Sequence, residues 1–427
     1  MTVTALGSAS SSPQLAGSTV AVLRGIRRAD GTVGDLAVRD GQVVADVSDA
    51  GEGVELDASG WRAVPAGCEP HAHLDKALSA ARLGPTRDND LMSAIEQWCG
   101  HRPLVDAADV YARGSAALAR YAARGITAVR THVDLPTEGD PFRGVDALVA
   151  LREEVRDRIT LQVCLLYSND TPDDVLFAAA ARGVDVIGGC PHIAPDPKRE
   201  ITRALDVAER HGLPVDLHCD EQTSLPADDD DLDVVQLARQ VLDRGHSTPV
   251  TASHAVRLGM LPPDRLAPVV ELLARARIGV VTLPITNLYL MGRDFDHAMP
   301  RGLTAVRALL DGGVTVAAGG DNLRDPFNPA GRADPFETTS LLMTAAHLRG
   351  DEALHAVTAA GRQLLGLPPA GTAPGETADL VLLPDEPLGD VLAGAVDTRI
   401  VLRAGMIIAE TRVASAVTLD PTPLEVP

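Results

Sequence analysis

Positive charge is what this chain has least of: 38 lysines and arginines stand against 59 aspartates and glutamates, a formal net charge of −21. Nucleic acids and anionic membrane surfaces select basic patches, so this balance excludes both as electrostatic partners. No stretch approaches the roughly 18 apolar residues of a membrane span, and the first residues lack the basic start and compact apolar core of a secretory signal. Cysteine is scarce and odd in number, at Cys68, Cys99, Cys164, Cys190 and Cys219. Most of these lie in apolar stretches, which excludes a disulfide framework and suits a reducing cytoplasm. A cytoplasmic homo-oligomer is expected.

What is present is core. A chain of 427 residues with 45% hydrophobic content exceeds the usual single domain unless the fold is a large barrel, so one large and one small domain are expected. Residues 1–18 are rich in Ser, Ala, Thr and Gly without periodicity and read as a loose leader. From 19 to 62, short apolar bursts at 20–23, 36–38 and 43–47 are broken by Asp30-Gly31, Asp40-Gly41 and Gly51, the punctuation of strands and tight turns. The same signal returns at 372–415, with strands at 378–384 and around a turn at Ala404-Gly405. The two ends are expected to pair into a small β-sandwich, followed by a tail at 416–427.

Between them, over 63–371, apolar runs predict strands at 63–70, 126–133, 159–167, 184–190, 214–219, 249–253, 278–284 and 313–319. Amphipathic stretches at 107–124, 145–156, 200–211, 232–244, 264–275 and 303–310 predict intervening helices. Eight strands alternating with helices predict a (β/α)8 TIM barrel of the α/β class. A doubly wound sheet is the alternative, but it gives no reason for where the polar residues fall.

Those residues fall at strand ends, where a barrel places its chemistry. His71-Ala72-His73 ends the first strand, and residues two apart on a strand share a face, so both imidazoles can address one cation. Alone the pair is weak, since 12 histidines in 427 residues supply roughly a third of such a pair by chance. His218 ends the fifth strand, His254 the sixth, and Asp321 the eighth. Three imidazoles and one carboxylate from this set suit one divalent ion, Zn²⁺ or Fe²⁺, which lowers the pKa of a bound water toward neutrality.

The strand-end set resembles the amidohydrolase superfamily. Within it, His71-Ala-His-Leu-Asp75, His218-Cys-Asp-Glu221, Thr251-Ala-Ser-His254 and Asn287-Leu-Tyr-Leu-Met-Gly-Arg293 are similar to bacterial cytosine deaminase, and Arg130-Thr-His-Val-Asp134 and Asp325-Pro-Phe327 extend the match over about residues 20–410. The resemblance implies a hydrolytic deaminase in which His71, His73, His218 and Asp321 hold the metal. It further implies that Asp321 takes a proton from water, Glu221 shuttles one to the ring nitrogen, and His254 polarises the attacked centre. The bridging lysine of binuclear members is missing from the ends of strands three and four, and Lys198 lies several residues beyond. One metal is therefore expected. The other zinc deaminases, with His-x-Glu and Pro-Cys-x-x-Cys, are excluded because no matched pair of those motifs is present.

Phe327 is a candidate for stacking on a planar substrate, His192 for facing it, and Lys76 for anchoring a substrate anion or pairing with Asp75 or another carboxylate in the barrel mouth. His132 ends a strand but matches no metal position. Asp228 to Asp231 read as a solvated turn. Two departures bear on substrate. Where cytosine deaminase offers a glutamine amide after strand three, this chain has Ser168, and the family's paired aspartates after strand eight are Asp321-Asn322 here. Both change which edge of a ring is read. The expected substrate is a small nitrogen heterocycle: a cytosine-like pyrimidine, a triazine, a creatinine-like ring or a fused ring. Cyclic amide cleavage or alkylamine release would use the same site, and a non-catalytic barrel scaffold would have no need of ligands at four strand ends.

Overall fold

Each strand of the central sheet is short and buried along nearly its whole length, as parallel strands covered on both faces must be. The computed structural model describes residues 4–6 and 15–414. The strands are β1 (Gly67–Ala72), β2 (Ile126–Asp134), β3 (Thr160–Tyr167), β4 (Val186–Gly189), β5 (Val215–Cys219), β6 (Val250–His254), β7 (Gly279–Thr282) and β8 (Val316–Ala318). They pair in parallel in chain order, and a parallel bridge between Ala72 and Asp321 returns the last strand to the first. The expected TIM barrel is thus the observed one.

The helices between them form where the amphipathic pattern and its caps coincide. The helix Ala107–Ala123 starts at Asp106, whose carboxylate accepts from the Asp109 amide. Pro197–His211 starts at Asp196 with proline in its first turn and ends on Gly212 in the left-handed conformation, the asymmetry that glycine and proline favour. A helix beyond those that periodicity marks, Leu91–His101, is inserted ahead of the first barrel helix and covers the mouth. No helix of the described residues is long and apolar enough to cross a membrane, and the five cysteines are unpaired.

The chain ends build one nine-stranded sheet. It folds over a separate apolar core that includes Leu23, Leu36, Leu56, Leu380, Ile400 and Leu402. Two expectations change here. The run read as one strand at 63–70 divides: Trp61–Pro65 pairs antiparallel with Leu380–Pro384 in the terminal sheet, and β1 begins only at Gly67. An apolar run cannot by itself reveal that its halves pair with different sheets. Part of the expected leader is also built in, since Thr4–Ala5 pairs with Val54–Asp57 and Leu15 is buried. The rest of that leader up to Gln14, and the expected tail at 416–427, lie outside the described residues.

Asp379 joins the two parts. Fully buried, it accepts from the Ala404 amide (2.7 Å) and Arg403 Nη1 (3.0 Å) of the sheet, and from Arg362 Nη1 (2.8 Å) and Thr127 Oγ1 (3.2 Å) of the barrel. Removing one partner of such a buried network strands the others. Asp379→Ala is expected to cost about 3–5 kcal/mol, read as a lowered apparent unfolding midpoint.

Candidate active site

The parallel strands deliver their C-terminal ends to one cavity of about 440 Å³. At its floor, His71 Nε2 and His218 Nε2 are 3.1 Å apart and His218 Nε2 and His73 Nε2 are 3.3 Å apart. Asp321 Oδ1 lies 3.3 Å from His73 Nε2 and 3.8 Å from His71 Nε2, and it has no hydrogen-bond partner among the described residues. Three imidazoles, two from the end of β1 and one from β5, therefore converge as one grouping that could hold an ion, with the Asp321 carboxylate beside the two of β1.

The protonation of this group follows from its surroundings. Burial, reinforced by the neighbouring imidazoles and Lys76, holds His71, His73 and His218 well below the ordinary histidine range, so they are neutral and carry lone pairs. Burial, then Glu221, Asp325 and Glu69, push the Asp321 carboxyl well above its usual range. The His71 tautomer can be derived. Asp216 is held below the usual carboxylate range despite its burial, chiefly by His132 and Arg130, so it only accepts. Ser253 Oγ donates to it (2.7 Å) and must accept from His71 Nδ1 (2.9 Å). The His71 proton is thus on Nδ1, and its Nε2 lone pair faces the cluster. A divalent cation held by these imidazoles would satisfy their facing lone pairs, with the unpartnered Asp321 oxygen beside it. Glu221, His254 and Asp321 form a further grouping available for an ion, which shares Asp321 with the site, and so do His71, His132 and Asp216. The latter shares His71 and has Arg130 Nη1 2.9 Å from Asp216, a charge that opposes a second cation.

Beside the cluster stands a proton-handling group. Glu221 is buried and its carboxyl is pushed up to about 8 by that burial. Its Oε1 lies 3.3 Å from His254 Nδ1 and its Oε2 lies 3.5 Å from His192 Nε2. Asn287 Nδ2 donates to His254 Nδ1 (3.0 Å), which leaves the His254 proton on Nε2, a buried atom with no partner among the described residues. His192 donates from Nδ1 to the His218 carbonyl (3.0 Å).

The remaining candidates all line the cavity, with altered emphasis. Lys76 is fully buried. Burial lowers its pKa, but Asp134 (3.0 Å) and Asp75 (3.3 Å) outweigh it and raise the value overall. Its ammonium is thus spent on the protein, and the pairing expected with Asp75 includes Asp134 as well. Ser168 is tied into a turn by Thr171, whose Oγ1 accepts its amide (3.1 Å). Asn322 directs its Nδ2 to Asp325 (2.8 Å), so that donor is engaged. Phe327 both lines the cavity and packs against Leu290 and Met291. His132 is closer to the cluster than its place in the sequence suggests, with its ring 4.0 Å from that of His71.

Several residues carry the site although no motif assigns them a role. Trp98 donates to Asp134 (2.7 Å) and lines the cavity with Leu91 and Ile95; their spacing, with Ala94, is that of one helical face. Asn287, Ser253 and Asp216 sit inside or beside recognisable motifs, but their function depends on contacts between strands.

Fold and site together define a TIM-barrel hydrolase with a candidate metal centre at the strand ends. The amidohydrolase family model matches residues 103–389, and the chain belongs to that family, hydrolases that act on C–N bonds. Over 391 residues it is 32% identical to a pterin deaminase of Rhizobium rhizogenes, covering 88% of this chain and 87% of that protein. Over 379 residues it is 24% identical to an N-isopropylammelide isopropyl amidohydrolase of Pseudomonas sp., covering 83% and 86%. Among solved structures, a 5-methylcytosine deaminase from Klebsiella pneumoniae liganded with 5-fluorocytosine superposes with a TM-score of 0.83 at 27% identity, over 93% of this chain and 99% of that one.

The His71–Ser253–Asp216 chain yields a direct expectation. Ser253→Ala is expected to weaken divalent-ion uptake by about 10–100-fold, measured by chelator competition, with the unfolding transition retained.

Proposed function

We propose that the protein is a hydrolytic deaminase of an aminated nitrogen heterocycle, acting at an amidine-type ring carbon with one divalent ion, Zn²⁺ or Fe²⁺, held by His71, His73, His218 and Asp321. The observation that carries this reading is that the His71, His73 and His218 imidazoles, the Asp321 carboxylate, the buried Glu221 carboxyl and His254 meet at one cavity. When bound, the ion would make water a nucleophile near neutral pH.

The chain's own groups complete the chemistry. The Asp321 carboxylate accepts a proton from the attacking water. Glu221, which keeps its proton up to about pH 8 because it is buried, gives that proton to the ring nitrogen. The proton held by Asp321 then passes to the exocyclic amine, which departs as ammonia, and the added hydroxyl returns its proton to Glu221 as the ring carbonyl forms, so that one C–O bond is formed, one C–N bond is broken and both carboxyl groups are reset. His254 donates from Nε2 to the oxygen that joins the ring carbon, and Asn287 keeps it in that tautomer. Leu135 and Leu166 give the cavity apolar walls, and Phe327 offers a flat face for the ring.

Substrate class follows from size and from relatives. A cavity of about 440 Å³ leaves space beyond a single pyrimidine, and Ser168 in place of a long amide adds to it. The cavity size and the 32% identity to a pterin deaminase support a fused, pterin-like ring, with cytosine, 5-methylcytosine and N-isopropylammelide as comparison compounds. Metal-loaded protein offered these four is expected to release ammonia from at least the fused amino heterocycle, and silence across the panel with metal bound would count against the reading. Product mass distinguishes ammonia from alkylamine release. Glu221→Gln is expected to lower kcat by about 10²–10⁴-fold with metal still bound. In the parent enzyme the rate is expected to fall as pH rises past about 8, where Glu221 loses the proton it must donate.

A further inference from the structure

Glu69 has no place in the chemistry above, yet it is buried directly beneath it. It lies on β1 two residues before His71, in the stretch where the pairing register of β1 with β2 shifts, between Glu69 and Ala72. Its side chain reaches across the seam between the first and last strands, where Oε2 accepts the Gly320 amide at 2.8 Å and Oε1 lies 3.4 Å from the His71 amide. One carboxyl group thereby holds the backbone immediately before Asp321 and the backbone of His71.

The opposite side of the seam is shaped to admit it. A Cβ on Gly319 would fall 2.0 Å from Glu69 Oε1, and one on Gly320 would fall 3.3 Å from Oε2. Neither glycine is needed there for a positive φ, since both are absent from the residues with left-handed backbone. Their missing side chains are explained by the volume of Glu69. Past the glycines the chain turns at Asp321 with φ 65°, a conformation uncommon for a residue with a Cβ, and this turn presents the carboxylate to His73 and His71. Strand β8 ends at Ala318, and beyond it, among the described residues, a single backbone bridge, Ala72–Asp321, joins this segment to β1 beside the Glu69 contact.

We infer that Glu69 is a positioning residue: by clamping Gly320 to β1, it sets the distance between the Asp321 carboxylate and the paired imidazoles, with Gly319-Gly320 as its required socket. This rests on the metal assignment made above but not on the identity of the substrate.

The test uses the full chain loaded with Co²⁺, whose visible absorption reports ligand geometry, together with chelator competition. Glu69→Ala is expected to shift the Co²⁺ spectrum and to weaken metal affinity by about 10–100-fold. Gly319→Ala, which displaces the same carboxyl from the other side, is expected to give the same two changes. Glu69→Gln keeps an acceptor for Gly320 and is expected to preserve the spectrum, with affinity within about threefold, since only the longer contact to His71 is lost. Should Glu69→Ala fail to fold, Gly319→Ala and Glu69→Gln decide between them. A folded Glu69→Ala or Gly319→Ala with parental spectrum and affinity overturns the inference, as does a Glu69→Gln that behaves like Glu69→Ala. A parental chain that takes up no Co²⁺ overturns the metal assignment itself, and this inference with it.

Discussion

The barrel closes where β8 returns to β1, and the candidate centre takes its geometry from that closure. His71 and His73 arrive on the first strand, Asp321 follows the last, and almost 250 residues separate them along the chain. What brings Asp321 Oδ1 to within 3.8 Å of both imidazoles is a parallel sheet that has curled through eight strands, so its first and last ends meet. His218, on the fifth strand, reaches the same point from the far wall. The scaffold is over-determined by a large apolar core, and this rigidity lets neutral imidazoles and a carboxylate with raised pKa sit together away from water. Such an arrangement is unfavourable in isolation, and the fold maintains it.

Much of this is legible in the sequence because two periodicities are simple. Short β-branched runs and amphipathic helical stretches alternate, and the ligand types fall at the ends of the former, so His71, His73, His218, His254 and Asp321 stand out by their positions along the chain. Less legible is whatever depends on a second strand. Nothing local distinguishes Ala63 from Gly67, yet one belongs to the terminal sheet and the other to the barrel. Asn322 illustrates the same limit: by residue type its amide is free to meet a ligand, but Asp325 engages its donor. His132 is peripheral by position, standing on another strand, yet its ring lies tilted against that of His71. Neighbour relations of this kind are set by barrel closure.

The mouth of the cavity shows how charge is handled in a strongly acidic chain. There are only two lysines, Lys76 and Lys198, and every other basic side chain apart from histidine is arginine. The one buried lysine serves a place where a compact ammonium must face Asp75, Asp134 and the ring of His73 at once. A planar guanidinium has a different donor geometry and greater bulk. Trp98 completes this arrangement by donating to the other oxygen of Asp134. The inserted helix Leu91–His101 that carries Trp98 is thereby fastened to the barrel by a hydrogen bond as well as by packing.

The terminal sheet has a bearing on how the protein is made. Trp61–Pro65 finds its antiparallel partner only at Leu380–Pro384, so during synthesis one edge of that strand has no partner until some 300 further residues have been added. At about 5–20 residues per second this interval is roughly 15–60 s. Through that time an apolar strand edge is open to pairing with other chains. The order of translation thus sets a period of vulnerability that the finished molecule no longer shows, and chaperone demand or growth temperature should affect yield through that interval more than through the stability of the completed barrel.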